Sequence, residues 1–377
     1  MGKWDMVRLG DVCEILDHIR VPVTASERKK GIYPYYGANG IQEYVDDYIF
    51  DDELVLLAED GGHFGSKEKP IAYRVSGKCW VNNHAHVLKP KDMLNVDFLC
   101  YSIMFYDVSS LISGTTRAKL NQVAMRKMTI PLPPLAVQQK IADTLDRAAA
   151  LIEKRKAQIA KLDLLVKSQF IKMFGDPITN PMGWESSHLS KHLRVIGGYA
   201  FSSKGFADKG MPVLRIGNIN TGTFSDKNLV FWQHDKKLER YLLRPGDVVI
   251  SLTGTVGKDD YANVCILGDD YEGYYLNQRN AKLELNVTIN RHYLTNALRI
   301  PKIKGKLTGI SRGIRQANVS NSDILNLELP IPPIELQNRF AAFIYAIEES
   351  KTEMQCGLTK LELLYKSLTQ KFFKEDT

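Results

Sequence analysis

The pattern [ST]-G-x-[ST]-R occurs twice, as Ser113-Gly114-Thr115-Thr116-Arg117 and as Thr308-Gly309-Ile310-Ser311-Arg312. Hydroxyls and amides in a glycine turn suit phosphate oxygens, and an arginine there can offer its fork to the O6 and N7 atoms of guanine. Lys119 and Arg315 flank the two turns. A second related pair, Asn82-Asn83-His84 and Asn277-Gln278-Arg279, lies 195 residues apart and supplies further donors and acceptors. Tyr36, Asn39 and Lys258 stand in polar loops at the ends of apolar runs. His84, Arg117, Gln278, Arg279 and Arg312 join them as candidate contacts to base or backbone. A purely structural place in the loop is the alternative for each.

Catalytic constellations are not evident. Gly254-Thr255-Val256-Gly257-Lys258-Asp259 has the wrong glycine spacing for a P-loop, and Asp259 stands where Ser or Thr would bind magnesium. His84-Ala85-His86 puts two imidazoles on one face of a strand, with Cys79 five residues before His84. That could hold a metal, but the second copy has Arg279 in place of His84. The Pro-Pro pairs at 133–134 and 332–333 lack the flanking residues of an amino-methyltransferase motif. No glycine-rich cofactor loop, nuclease carboxylate cluster or nucleophile elbow stands out. The chain is expected to be no enzyme by itself.

Composition sets the outer bounds. The 377 residues are 44% hydrophobic and 25% charged, an ordinary globular balance with length for more than one domain. No apolar run is long enough for a membrane span, and the first residues lack a signal-peptide pattern, so a cytoplasmic protein is expected. Five cysteines, widely spaced and never CxxC, argue against a disulfide framework. Net charge is +7, unevenly placed. Residues 1–130 carry 16 Lys/Arg against 17 Asp/Glu, whereas residues 176–329 carry 20 against 15. Six cations and no acid run from Arg299 through Lys302, Lys304, Lys306 and Arg312 to Arg315. Such a run is either a solvated face or a phosphate contact.

These residues sit on a duplicated frame. Pro131-Leu132-Pro133-Pro134-Leu135-Ala136-Val137-Gln138 recurs 199 residues later as Pro330-Ile331-Pro332-Pro333-Ile334-Glu335-Leu336-Gln337. The match then runs without a gap to Phe174 and Phe373. Upstream the offset drifts from 199 to 195 to 180, so the bodies took insertions and the last quarter did not. This predicts four segments: body one over 1–130, helix one over 131–175, body two over 176–329 and helix two over 330–377.

The frame reads as helix. Ile141, Leu145, Ile152, Ile159 and Leu162 recur in alternating steps of three and four, with Ala148 and Arg155 filling the slots between. Phe340, Ile344, Ile347, Leu358 and Leu361 repeat the pattern, with Lys351 in the odd slot. Such heptads predict two rods pairing as an antiparallel coiled coil, each about 58 Å long at ~1.5 Å per residue. Arg155 and Lys351 either snorkel or fix the register against an acid such as Glu153 or Glu349. Phe174-Gly175-Asp176-Pro177 ends the first rod. The bodies read as mixed α/β, with buried strands at Glu53–Ala58 and Asp247–Leu252, each followed by a glycine-bearing loop.

Two variable bodies, each ending in P-[LI]-P-P-[LI]-x-x-Q and a long helix, resemble the specificity subunit of a type I restriction–modification enzyme over essentially the whole chain. Tyr35–Gly40, Val81–His86, Gly198–Phe201, Leu214–Ile219 and Pro245–Ile250 resemble segments of its target-recognition domains. The resemblance implies double-stranded DNA as ligand, with each body reading one half of an asymmetric bipartite target. It implies helices that set the spacing and dock two methyltransferase subunits, with restriction/translocase subunits as further partners. S-adenosylmethionine, ATP and Mg2+ would bind those partners and not this chain. The first body is not basic overall, so its DNA surface must be local. Read from residues alone, a coiled-coil adaptor that binds no DNA stays open.

Overall fold

The computed structural model describes residues 4–114, 117–255, 258, 260–309 and 316–373. The chain divides into two compact units, Met1–Ala157 with Cys356–Thr377, and Gln158–Gln355. Both frame segments are continuous helices, Leu135–Phe174 and Ile334–Phe373, of 40 residues each. Each unit therefore holds one body, the first half of that body's own helix and the last half of the other copy's helix.

In the first unit a six-stranded sheet runs in the order Cys13–Ile15, Ala85–Pro90, Phe50–Ala58, Ala72–Val81, Lys30–Gly37, Gly40–Val45. Residues 54–58 are all buried because the strand is covered on both faces. Val55 and Leu57 face the core shared with the helices, while Leu54 and Leu56 face a second cluster with Phe50, Val75 and Val87. A strand covered twice must read as an unbroken apolar run, which is what the sequence shows. All pairings in this sheet are antiparallel except one: Lys30–Gly37 lies parallel to Ala72–Val81, with Tyr36 opposite Val81.

The second unit repeats the plan with its strands split into two four-stranded sheets. Leu193–Gly197, Asn280–Leu285, Val248–Ser251 and Val264–Ile266 form one; Val230–Trp232, Met211–Leu214, Tyr274–Leu276 and Leu242–Leu243 form the other. Val248 and Ile250 face the helix-side core and Val249 the opposite cluster. The parallel pair recurs, with Leu214 opposite Leu276.

The repeated glutamine of the frame has the same job in both units. Gln138 is fully buried; its Oε1 accepts from the Asn95 backbone N–H at 2.8 Å, and its Nε2 donates to the carbonyls of Pro133 and Met93. Gln337 does the same with the Asn290 N–H and the carbonyls of Pro332 and Thr288. Asn95 and Asn290 in turn cap the helices Val96–Ile103 and Arg291–Leu298. At each diproline junction the second proline's carbonyl accepts from the helix backbone, and the glutamine supplies the donor for the first proline's carbonyl. The motif is thus a bolt fixing the long helix to its body.

The helix pairing is antiparallel within each unit. In the first, Lys156 meets Glu362 at 3.6 Å; in the second, Lys351 meets Asp163 at 2.7 Å and Phe170 stacks edge-on against Phe340. Ile141, Leu145, Ile152, Phe340, Ile344 and Leu358 are buried, and Ile159, Leu162, Ile347 and Leu361 are half-buried in the stripe. Toward the helix ends the stripe belongs to the body cores: Ile141 and Leu145 join that of the first unit, Phe340 and Ile344 that of the second. The acids suggested for the odd slots are not the ones used. Lys351 takes Asp163, and the Arg155 guanidinium lies alongside Gly357, where a Cβ would stand 3.4 Å from it. Glu153 instead meets its own-helix neighbour Lys156, three residues on. The first rod stops where expected, with Gly175 at φ +77° and its N–H on the Ile171 carbonyl at 2.9 Å.

Candidate nucleic-acid interface

The parallel strand pair positions the same loop in both bodies. Beyond Val81, the Asn82 Oδ1 accepts from the His84 backbone N–H at 2.8 Å. Beyond Leu276, the Asn277 Oδ1 accepts from the Arg279 N–H at 3.3 Å. Each asparagine closes a short turn on its own backbone and turns the residue two positions on toward the strand ends. His84 and Arg279, paired by the 195-residue offset, thus occupy equivalent posts.

Each post borders a cavity at the ends of the parallel strands. In the first body the cavity is about 240 Å³ and is lined by Asn39, Gln42, Asp60, Gly61, His84 and Arg117, among others. In the second it is about 630 Å³, and its wall carries Phe201, Phe206, Arg215, Lys227, Gln278 and Arg279. Among the described residues the second is lined by three cations and no carboxylate. Arg215 is anchored to the Asn228 carbonyl, and Asn218 holds the loop through the Ser225 carbonyl at 2.8 Å. The first is balanced: Asp60 Oδ1 meets both Arg117 Nη2 at 2.8 Å and His84 Nδ1 at 2.6 Å. Asn39 donates to the Gly61 carbonyl at 3.0 Å.

Five of the ten candidates, Asn39, His84, Arg117, Gln278 and Arg279, therefore line a cavity. Tyr36 does not. It is half-buried in its strand and packs its ring on Tyr73, and burial pushes its phenol up. Lys119 lies outside the cavity on Glu59, at 3.0 Å. Lys258 is exposed beyond the strand Thr253–Thr255. Arg312 and Arg315 lie outside the described residues, as do Thr115 and Thr116 of the first repeated turn. Asp60, Gly61, Arg215 and Lys227 went unmarked in the sequence reading. The strand pairing that brings them to the cavities carries no local sequence signal.

The histidine pair is not built for a metal with Cys79. That thiol is buried in the core and pushed up to about 12 by desolvation. His86 turns away from His84, with Nδ1 2.6 Å from Asp17 and Nε2 2.8 Å from the Leu120 carbonyl. Asp17, Glu59 and His86 do lie within 4.8 Å of one another. Arg20, however, already bonds Glu59 and the Ala85 carbonyl at 2.6 Å each, and Lys119 bonds Glu59. The protein's own cations fill the place a metal would take. Burial alone would raise the Asp17 carboxyl, but hydrogen bonds from His86, the Val87 N–H and Gln122 outweigh it and hold it low. The basic run is also partly structural. Arg299 bonds the Val264 carbonyl at 3.1 Å, and Lys304, almost fully buried, bonds Asn263 at 2.7 Å. Lys302 and Lys306 are the exposed remainder among its described residues.

Among proteins of known family, the sequence profile of the type I restriction modification DNA specificity domain matches residues 1–162 and again residues 181–362. The chain belongs to that family, and the two matches fall on the two copies. S.HindORF215P of Haemophilus influenzae, provisionally assigned as a type I restriction enzyme specificity subunit, is 27% identical over 93% of this chain and 89% of its own length. The MjaVIII specificity subunit of Methanocaldococcus jannaschii is 24% identical over 92% of this chain and 86% of its own. The fold is similar to that of the S subunit of a type I system from M. genitalium, with TM-score 0.62 and 13% identity over 100% of this chain and 97% of that one. No helix among the described residues is long and apolar enough to cross a membrane.

Proposed function

We propose that this chain reads DNA for a type I restriction–modification enzyme and performs no chemistry itself. The duplicated cavity supports the reading best. Two bodies of one plan present an equivalent polar post with different residues, His84 in one and Arg279 in the other, each bordering its cavity. Equivalent posts with unlike side chains suit a bipartite target with unlike halves. Three cations without an acid among the described residues of the second cavity suit phosphate. A helix of 40 residues, about 60 Å at ~1.5 Å per residue, exceeds the roughly 34 Å between successive major-groove faces. The long helices would therefore set the gap between half-sites.

The helices also carry a face for partners. Leu164, Leu165, Leu363 and Leu364 are exposed, and the two pairs are related by the 199-residue offset. Two equal apolar patches suit two copies of one partner, the methyltransferase subunits, with restriction/translocase subunits joining them. S-adenosylmethionine, ATP and Mg2+ act on those subunits in this reading. The test is binding of the assembled complex to duplex DNA at 50 and 200 mM salt. A reader with six or more phosphate contacts loses affinity by roughly 10³-fold or more. No binding to duplex DNA at either salt would instead favour an adaptor that binds protein.

A further inference from the structure

An arginine and a histidine of the first cavity converge on a single carboxylate oxygen. Arg117 Nη2 donates to Asp60 Oδ1 at 2.8 Å, and His84 Nδ1 lies 2.6 Å from the same atom. The Asp60 side chain is sheltered, at 17% exposure, while that of Arg117 is 61% exposed, so the acid is the anchor and the guanidinium the reaching arm. The arm rests on the open face of Gly61. That glycine has φ +64°, and a Cβ there would stand 3.1 Å from Arg117 Nη2. Asn39 holds the Gly61 carbonyl in turn. Nε, Nη1 and the second Nη2 hydrogen of Arg117 have no partner among the described residues, so Nη2 together with Nε or Nη1 can still present two parallel donors. The second cavity has no such anchor: its Arg279 carries no ion pair among the described residues, and no carboxylate lines the wall.

We propose that Asp60 is a positioning residue for base readout, holding Arg117 as a fork for guanine in the half-site read by the first body. This rests on the DNA-reading function above. A free surface arginine samples many rotamers and binds any nearby phosphate. One fixed by a carboxylate has part of its charge neutralised and a set direction, which suits the O6 and N7 edge of one base. The first body would contribute discrimination through an oriented arginine, and the second, with uncompensated cations, a larger share of the phosphate attraction.

The experiment is a genome-wide map of methylated adenine for complexes of the full chain with its methyltransferase subunits, comparing native, R117A, D60A and D60N. Native should give a bipartite motif. R117A and D60A should both relax the same guanine position in one half-site, cutting preference for that base at least about tenfold. The other half and the gap stay fixed, and D60N, which keeps an acceptor in place, relaxes it less. Motifs unchanged in D60A and R117A overturn the proposal, as does a uniform loss of methylation with no positional change. If D60A does not assemble, D60N and R117K decide, and unchanged motifs in both overturn it. A native complex with no motif at all would instead count against the DNA-reading function itself.

Discussion

At the scale of the residue, buried polar groups with fixed partners carry the sharpest consequences. Gln138→Ala or Gln337→Ala strands the N–H of Asn95 or Asn290, one carbonyl of the diproline junction and one carbonyl of the body. Each should cost about 1–3 kcal/mol, read as a lower denaturant midpoint, and the two should lie close together because the sites are copies. His292 gives a pH dependence. It is almost fully buried against Tyr345, its Nε2 has no partner among the described residues, and desolvation lowers its pKa from 6.5 to about 4. The unfolded chain therefore binds this proton more readily, so the contribution is intact above pH 6.5 and lost as pH falls toward 4. Thermal unfolding between those values should show a fall in Tm that His292→Phe reduces. The sequence made the glutamine visible as a repeat but not its partners, because Asn95 and Asn290 are bolted to it through tertiary contacts. Tyr36 misled for the opposite reason: a tyrosine at a strand end looks alike whether its ring faces solvent or Tyr73.

Among elements, the long helices were the most legible. A stripe of three-and-four steps states both the fold of a segment and which face is covered, and both helices lie inside the segments 131–175 and 330–377, starting four residues in, after the two prolines. Their ion pairs were not legible, since Lys351–Asp163 depends on register across the seam and not on spacing along one helix. Both side chains are substantially exposed, so Lys351→Ala should change stability by no more than about 1 kcal/mol. The apolar face matters more for assembly. Leu164→Asp with Leu363→Asp should leave circular dichroism and unfolding of the free chain nearly unchanged while abolishing co-purification with the methyltransferase subunits. An intact complex would remove these leucines from the docking face. Strand order in the bodies could not be read, because pairings such as Lys30–Gly37 with Ala72–Val81 join segments some forty residues apart. That parallel pair is also what locates both cavities.

For the whole molecule, the duplication is the organising fact. Each compact unit combines one body with the first half of its own helix and the last half of the other's. Phe174 of the first helix packs on Tyr293, and its repeat Phe373 packs on Phe98. Inserting one or two helical turns between Ala157 and Leu162 should accordingly lengthen the gap between half-sites, or prevent assembly if the two rods must match. An unchanged gap would exclude the spacing role. The most direct measurement is the adenine-methylation map of the native chain expressed with its methyltransferase subunits in a host without other adenine methylation. The expected result is one bipartite motif with two unlike halves and a constant gap. A stable complex that binds S-adenosylmethionine but methylates no site, or methylates one continuous palindrome, would contradict it.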